Sequence, residues 1–323
     1  MAQPLLARLH EKRPRLRLDA LAPAWVAPVL RRMAEVEEVI ETAFRHGALE
    51  LRERWKLGRS LKGRAYDQAI VLPNSWKSAL VPFFADVPLR SGYVGESRYG
   101  LLNLLYRRRG DERAPMALQY ARLSEKPGVA PREPLPGPRL KVDAAHAADA
   151  ARKFGFAARP RFNAVFCPGA EFGPAKRWPA PAFGELAQTL AARGAAVWLL
   201  GSASDAGPCS EVARASGGAA TDLAGRTTLD DAIELIAAAD VVVTNDSGLM
   251  HIAAAVGTPQ VALFGSSSPK HTPPLAANAR VVWLGIECSP CFARVCPLGH
   301  FRCMREIAAA RVLDELRALE VIA

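Results

Sequence analysis

The chain has 323 residues, 50% of them hydrophobic and 23% charged, with a mean hydropathy of +0.03. This is a globular balance with room for two domains of about 100–200 residues each, and it excludes collagen-like, low-complexity and wholly disordered chains. The formal net charge is +10, from 42 Lys and Arg against 32 Asp and Glu. All of the excess lies in residues 1–140, which hold 25 basic and 15 acidic side chains; residues 141–323 hold 17 of each. Such an excess suits nucleic acid, an anionic membrane surface or an acidic substrate, and composition does not choose among them. No apolar run reaches the roughly 18–20 residues that span a bilayer. The opening MAQPLLARLHEKRPRLR has no apolar core followed by a small-residue cleavage site, so a cytoplasmic location is the expectation.

In chain order, the pattern predicts a helix over 2–13, a strand over 16–21, a helix over 23–33 and a strand within 36–43. An amphipathic helix follows over 49–63, then a strand over 65–73 and a helix over 75–85. Residues 127–138, with prolines at 127, 131, 134, 136 and 138, break both helix and inner strand and read as a linker. The alternation then restarts. Strands are expected over 162–169, 195–202, 240–246, 259–266 and 280–285, and helices over 181–194, 204–216, 227–239, 247–257 and 305–323. Strand–helix alternation predicts α/β architecture: two doubly wound, Rossmann-like domains facing a cleft, with ligands at the strand C-termini. The expected division is 1–140, 141–304 and a closing helix over 305–323.

Two loops carry the chemistry. In VVVTNDSGLMHIAAAVGTPQVALFG (241–265) a buried strand runs through Asn245-Asp246-Ser247-Gly248 into a helix. A helix start offers unpaired N–H groups and a positive dipole end, which suit a phosphate. Gly248 permits close backbone approach, and His251 lies on the first turn. Plain helix capping by Asp246 or Ser247, with His251 in the core, is the simpler alternative. FCPGAEFGPAKRWP (166–179) also follows a strand, and its Gly169, Gly173, Lys176 and Arg177 suit a diphosphate. Neither loop has the spacing of a P-loop or of G-x-G-x-x-G, which disfavours ATP hydrolysis and ordinary NAD binding.

Together with LPNSWKSALVPFF (72–84) and HGALELRERWKLGRSLKGRAYD (46–67), these motifs resemble the inner-core heptosyltransferases of lipopolysaccharide synthesis. The resemblance covers nearly the whole chain. It implies the GT-B architecture, two Rossmann-like domains across a cleft. It also implies inverting transfer of L-glycero-D-manno-heptose from ADP-heptose to the first heptose of a heptosyl-Kdo-lipid A acceptor. No metal or cofactor is implied. By the same resemblance, Gly169, Ala170, Glu171 and Lys176 line the donor site, with Lys176 on phosphate. Gly225 lies near adenosine, and Asp246, Ser247, Gly248, Leu249, Met250 and His251 bind diphosphate and heptose. Asn74, Ser75, Lys77 and Arg98 stand on the acceptor side, the two cations toward acceptor phosphate or Kdo carboxylate.

The general base of such enzymes is an Asp in a Gly-Asp turn after a first strand. This chain opens on a helix, so that strand and its base are expected to be missing from it and no catalytic base is assigned. The alternatives are a GT-B protein that binds an ADP-sugar without turnover, and a GT-B nucleotide-sugar epimerase. The +10 reads as steering toward an anionic glycolipid and the inner face of the cytoplasmic membrane. Nucleic acid is disfavoured, because the cations are dispersed and no recognition motif accompanies them.

Six cysteines remain. Cys167 and Cys209 stand alone and read as small buried hydrophobes. Cys288, Cys291, Cys296 and Cys303 form C-x2-C-x4-C-x6-C with His300 inside. A structural metal, reduced packed thiols and disulfides all stay open for this cluster, which does not have a standard zinc-finger spacing.

Overall fold

The computed structural model describes residues 1–45, 47–107, 114–155 and 161–322. The chain divides into two compact units, one of Met1–Ala27 with Glu37–Pro136, the other of Pro28–Val36 with Gly137–Ala323. Among the described residues no helix is long and apolar enough to cross a membrane.

The first unit opens on α1 (Gln3–Lys12) and β1 (Asp19–Pro23). Helix α2 (Ala27–Arg31) then leads into the segment that belongs to the other unit. The first unit continues with β2 (Glu38–Thr42), α3 (Leu51–Leu61), β3 (Gln68–Val71), α4 (Leu80–Phe84), β4 (Leu89–Tyr93), β5 (Leu104–Tyr106) and α5 (Met116–Ala121). Its strands form two sheets, a parallel β1–β2 pair and a parallel β3–β4–β5 sheet. Helices α3 and α4 touch through Gly58, where a Cβ would lie 2.5 Å from that of Phe84, so only glycine permits the approach. The 127–138 stretch carries neither helix nor strand, as its prolines dictate.

The second unit holds α6 (Ala144–Lys153), β6 (Phe162–Cys167), α7 (Ala180–Ala191), β7 (Ala195–Leu199), α8 (Ala206–Ala215), β8 (Ala220–Asp222), α9 (Leu229–Ala237) and β9 (Val241–Asn245). It ends with α10 (Gly248–Val256), β10 (Gln260–Phe264), β11 (Ala279–Trp283), α11 (Arg302–Arg305) and α12 (Ala309–Ala318). Its strands make one parallel sheet in the order β11-β10-β9-β6-β7-β8. β9 and β10 are buried at every position, their polar Thr244, Asn245 and Gln260 included, as central strands covered on both faces are. One core cluster gathers Phe166, Phe183, Leu186, Val243 and Leu263; another gathers Val165, Trp198, Ile233, Val242 and Ile252. Alternate residues of the same strands therefore feed both faces. Each such fully buried aliphatic chain contributes about 1.5–3 kcal/mol relative to exposure.

The segment at 28–36 joins this unit through Arg32. Its guanidinium meets Glu234 at 2.5 Å and Asp230 at 3.0 Å, and its carbonyl accepts the N–H of Lys141.

Candidate functional site

The order of the second sheet fixes where a ligand can sit. From the central β6 the chain winds outward through β7 and β8; from its neighbour β9 it winds the other way through β10 and β11. β6 and β9 end side by side, Cys167 beside Thr244. In open α/β sheets ligands bind outside the carboxyl ends of the strands at such a switch point. Both loops singled out in the sequence leave this switch point.

They are joined by a buried ion pair. Lys176 Nζ lies 2.6 Å from Asp246 Oδ2, with the carboxylate side chain only 5% exposed. Thr272 Oγ1 lies 3.3 Å from both carboxylate oxygens of Asp246. Asn245 adds a second link: its Oδ1 accepts the N–H of Trp178 at 3.1 Å, and its Nδ2 donates to Pro168 O at 2.7 Å. The capping alternative for Asp246 and Ser247 does not describe what is found. Ser247 is the residue before α10, but its side chain caps no N–H; its Oγ lies 3.3 Å from Thr244 Oγ1. The first turn of α10 thus keeps its N–H groups uncapped by a side chain, beside the Lys176 ammonium. Gly248 is exposed, and Leu249 is half-buried. Met250 is a correction: its side chain is fully buried with Ala262 and Phe264, so only its backbone is available to a ligand.

His251 is half-buried on the first turn, and burial pushes its imidazole down to about 4, so it is neutral near pH 7. Gly169 and Ala170 are buried and Glu171 is exposed, with Ser204 Oγ 3.4 Å from its carboxylate. A Cβ at Gly169 would collide with the Asp205 carboxylate, which would have to give way. Gly225, at φ +69, donates its N–H to Gly201 O in the adjoining turn. Ser266 and Ser267, just past β10, carry buried hydroxyls with no partner among the described residues. Asn245, Thr272 and Ser267 were not assigned roles from the sequence. Asn245 sat inside the quoted motif, whereas Thr272 has no local signal.

In the first unit, Asn74 is exposed, and Ser75 and Lys77 are half-buried in the turn after β3. Lys77 Nζ donates to Ala48 O at 3.2 Å. Arg98, expected to face acceptor phosphate or Kdo carboxylate, is a second correction: it is 1% exposed and turned onto backbone. Its guanidinium donates to Tyr93 O and Pro73 O at 2.5 Å each and comes within 3.5 Å of Asn74 Oδ1. Burial lowers its pKa from the ordinary arginine value. Arg98 therefore holds the turn that carries Asn74 and Ser75.

Cys167 and Cys209 are buried in the core, and burial raises both thiols, Cys209 to about 12. All six cysteines are free thiols, which sets aside disulfides in this structure.

Residues 54–302 match the family model described as glycosyltransferase family 9 (heptosyltransferase). The chain belongs to glycosyltransferase family 9. It is 44% identical to lipopolysaccharide heptosyltransferase 2 of Escherichia coli K12 over 99% of this chain and 94% of that one. It is 45% identical to lipooligosaccharide heptosyltransferase 2 of Haemophilus influenzae over 88% and 84% of the two chains. The solved ADP-heptose lps heptosyltransferase II of E. coli matches with a TM-score of 0.87 and 43% identity, over 98% of this chain and 93% of that one. A family 9 glycosyltransferase structure from Veillonella parvula, 19% identical with a TM-score of 0.84, shares the fold. This family 9 chain is thus a glycosyltransferase of GT-B type, and heptose transfer in lipopolysaccharide inner-core assembly is its activity. The epimerase alternative finds no support.

Proposed function

We propose that the chain moves heptose from ADP-heptose onto the first heptose of a heptosyl-Kdo-lipid A acceptor, at the inner face of an anionic membrane. The observation that carries the donor side is the Lys176–Asp246 pair beside the uncapped start of α10. When the glycosidic C–O bond to the diphosphate breaks, negative charge grows on ADP. An ammonium and backbone N–H groups already fixed in place stabilise that charge without reorganising. Asp246 orients Lys176 and keeps one carboxylate edge for a ligand hydroxyl. Gly169, Ala170 and Glu171 border the same loop, Gly225 stands toward the adenosine, and the Ser267 hydroxyl is a further donor-side contact.

On the acceptor side we assign Asn74, Ser75 and Lys77 to direct contact and Arg98 to positioning of their turn. The cation-rich residues 1–140 act as the acceptor and membrane-facing part, residues 141–323 as the donor part.

The test is incubation with ADP-heptose and purified heptosyl-Kdo-lipid A. The reading requires ADP release matched by a lipid product heavier by one heptose. Donor binding with no product would instead support an ADP-sugar-binding protein without turnover.

A further inference from the structure

The cysteine-bearing loop lies outside the donor machinery. Between β11 and α11, residues 284–301 form neither helix nor strand. Loops this long in a compact domain are uncommon without a function or a constraint of their own. This one is tied down at its flanks: Ser289 Oγ donates to Gly265 O at 2.5 Å, and the Phe292 N–H donates to Ser266 O at 2.7 Å. Arg294 gives its Nε–H to Phe172 O, and its own carbonyl accepts the N–H of Ala175, the neighbour of Lys176.

Three cysteines of the loop, Cys288, Cys291 and Cys296, and Cys303 of α11 line one cavity of about 20 Å³. That is room for one water-sized body, and hence for a single ion and not a cluster. His300 Nδ1 accepts the Arg302 N–H at 3.0 Å, which puts the ring proton on Nε2, 3.9 Å from Cys288 Sγ. His300 is thus a donor to sulfur and not a ligand. Four thiolates around a divalent cation carry a net charge of about −2, which the His300 Nε2–H beside Cys288 partly offsets. Among the described residues no three donors stand at metal-binding separation, so capture requires side-chain rotation. Cys291 is the exposed one of the four.

We propose that Cys288, Cys291, Cys296 and Cys303 bind one thiophilic divalent cation, zinc or ferrous iron, as a structural site. It would fasten the 284–301 loop beside the segment that carries Lys176. Binding deprotonates the thiols and releases their protons to solvent, with no change of oxidation state. The site is separate from the transfer reaction, and its test does not depend on turnover.

The untagged full chain is purified under reducing conditions and its metal content measured; about one zinc or iron per chain is expected, and the analysis itself tells which. The chain is then stripped with a thiol-directed mercurial, reduced and titrated with cobalt(II). The expected result is the absorption of tetrahedral cobalt thiolate, saturating at about one equivalent and bleached by zinc. Cys291→Ser should lose the bound metal, while Cys209→Ala keeps it. Less than about a tenth of an equivalent as purified, together with no cobalt–thiolate absorption in the stripped wild-type chain, would overturn the proposal. The cobalt titration needs no variant to fold.

Discussion

Lys176 and Asp246, 70 residues apart in sequence, meet at 2.6 Å across the two loops that leave β6 and β9. The contact couples the charge of the donor loop to the start of α10. Removing one partner leaves the other buried and unpaired, which typically costs about 3–5 kcal/mol. Asp246 also has a contact with Thr272 Oγ1 at 3.3 Å, separate from that with Lys176.

Asn245 is expected to set the spacing of these loops. Asn245→Ala removes the bonds to Trp178 N and Pro168 O in a fully buried place, so a loss of about 1–3 kcal/mol per orphaned group is expected. Thermal unfolding with and without ADP checks this. A variant as stable as wild type would show that the loops hold together without it.

Arg98 is expected to govern acceptor use and not donor affinity. Arg98→Met strips Tyr93 O and Pro73 O of a charged donor, at about 1–3 kcal/mol each. The acceptor KM should rise while the Kd for ADP stays unchanged, and Arg98→Lys should recover part of the loss. An equal effect on both ligands would assign Arg98 to general stability instead.

The neutral His251 makes stability depend on pH. Its folded value of about 4 lies below the ordinary 6.5, so between these values the unfolded chain binds a proton that the folded chain does not. Its contribution is full above pH 6.5 and is lost as pH falls toward 4. The melting temperature measured across that window should fall less steeply in His251→Asn than in wild type. Parallel curves would remove His251 as the cause.

Ionic strength separates the two halves of the reaction. The charge excess of residues 1–140 predicts that salt weakens binding to acceptor or anionic vesicles more than binding to ADP. Equal salt dependence would contradict the steering role given to that excess.

The second sheet was legible because β6, β9 and β10 are mostly apolar stretches, bounded by Pro, Gly and Asp. The three-residue strands β5 and β8 were not, since so short a segment carries no period. Helix α6 went unread despite a signal in the sequence: Asp143 accepts the Ala145 N–H at its start. The crossing of Pro28–Val36 into the second unit rests on Arg32 finding Glu234, which no local pattern encodes. Arg98 and Met250 show the same limit at the site. Sequence supplies their chemistry, but burial decides whether that chemistry meets backbone, core or ligand.

The most direct measurement is calorimetric binding of ADP to the wild-type chain and to Lys176→Met, with folding of both verified. One lost charge-assisted contact to phosphate is worth about 1.5–3 kcal/mol, so affinity should fall by about 10–100-fold. Undiminished ADP affinity in a folded Lys176→Met chain would contradict the donor site described for these two loops.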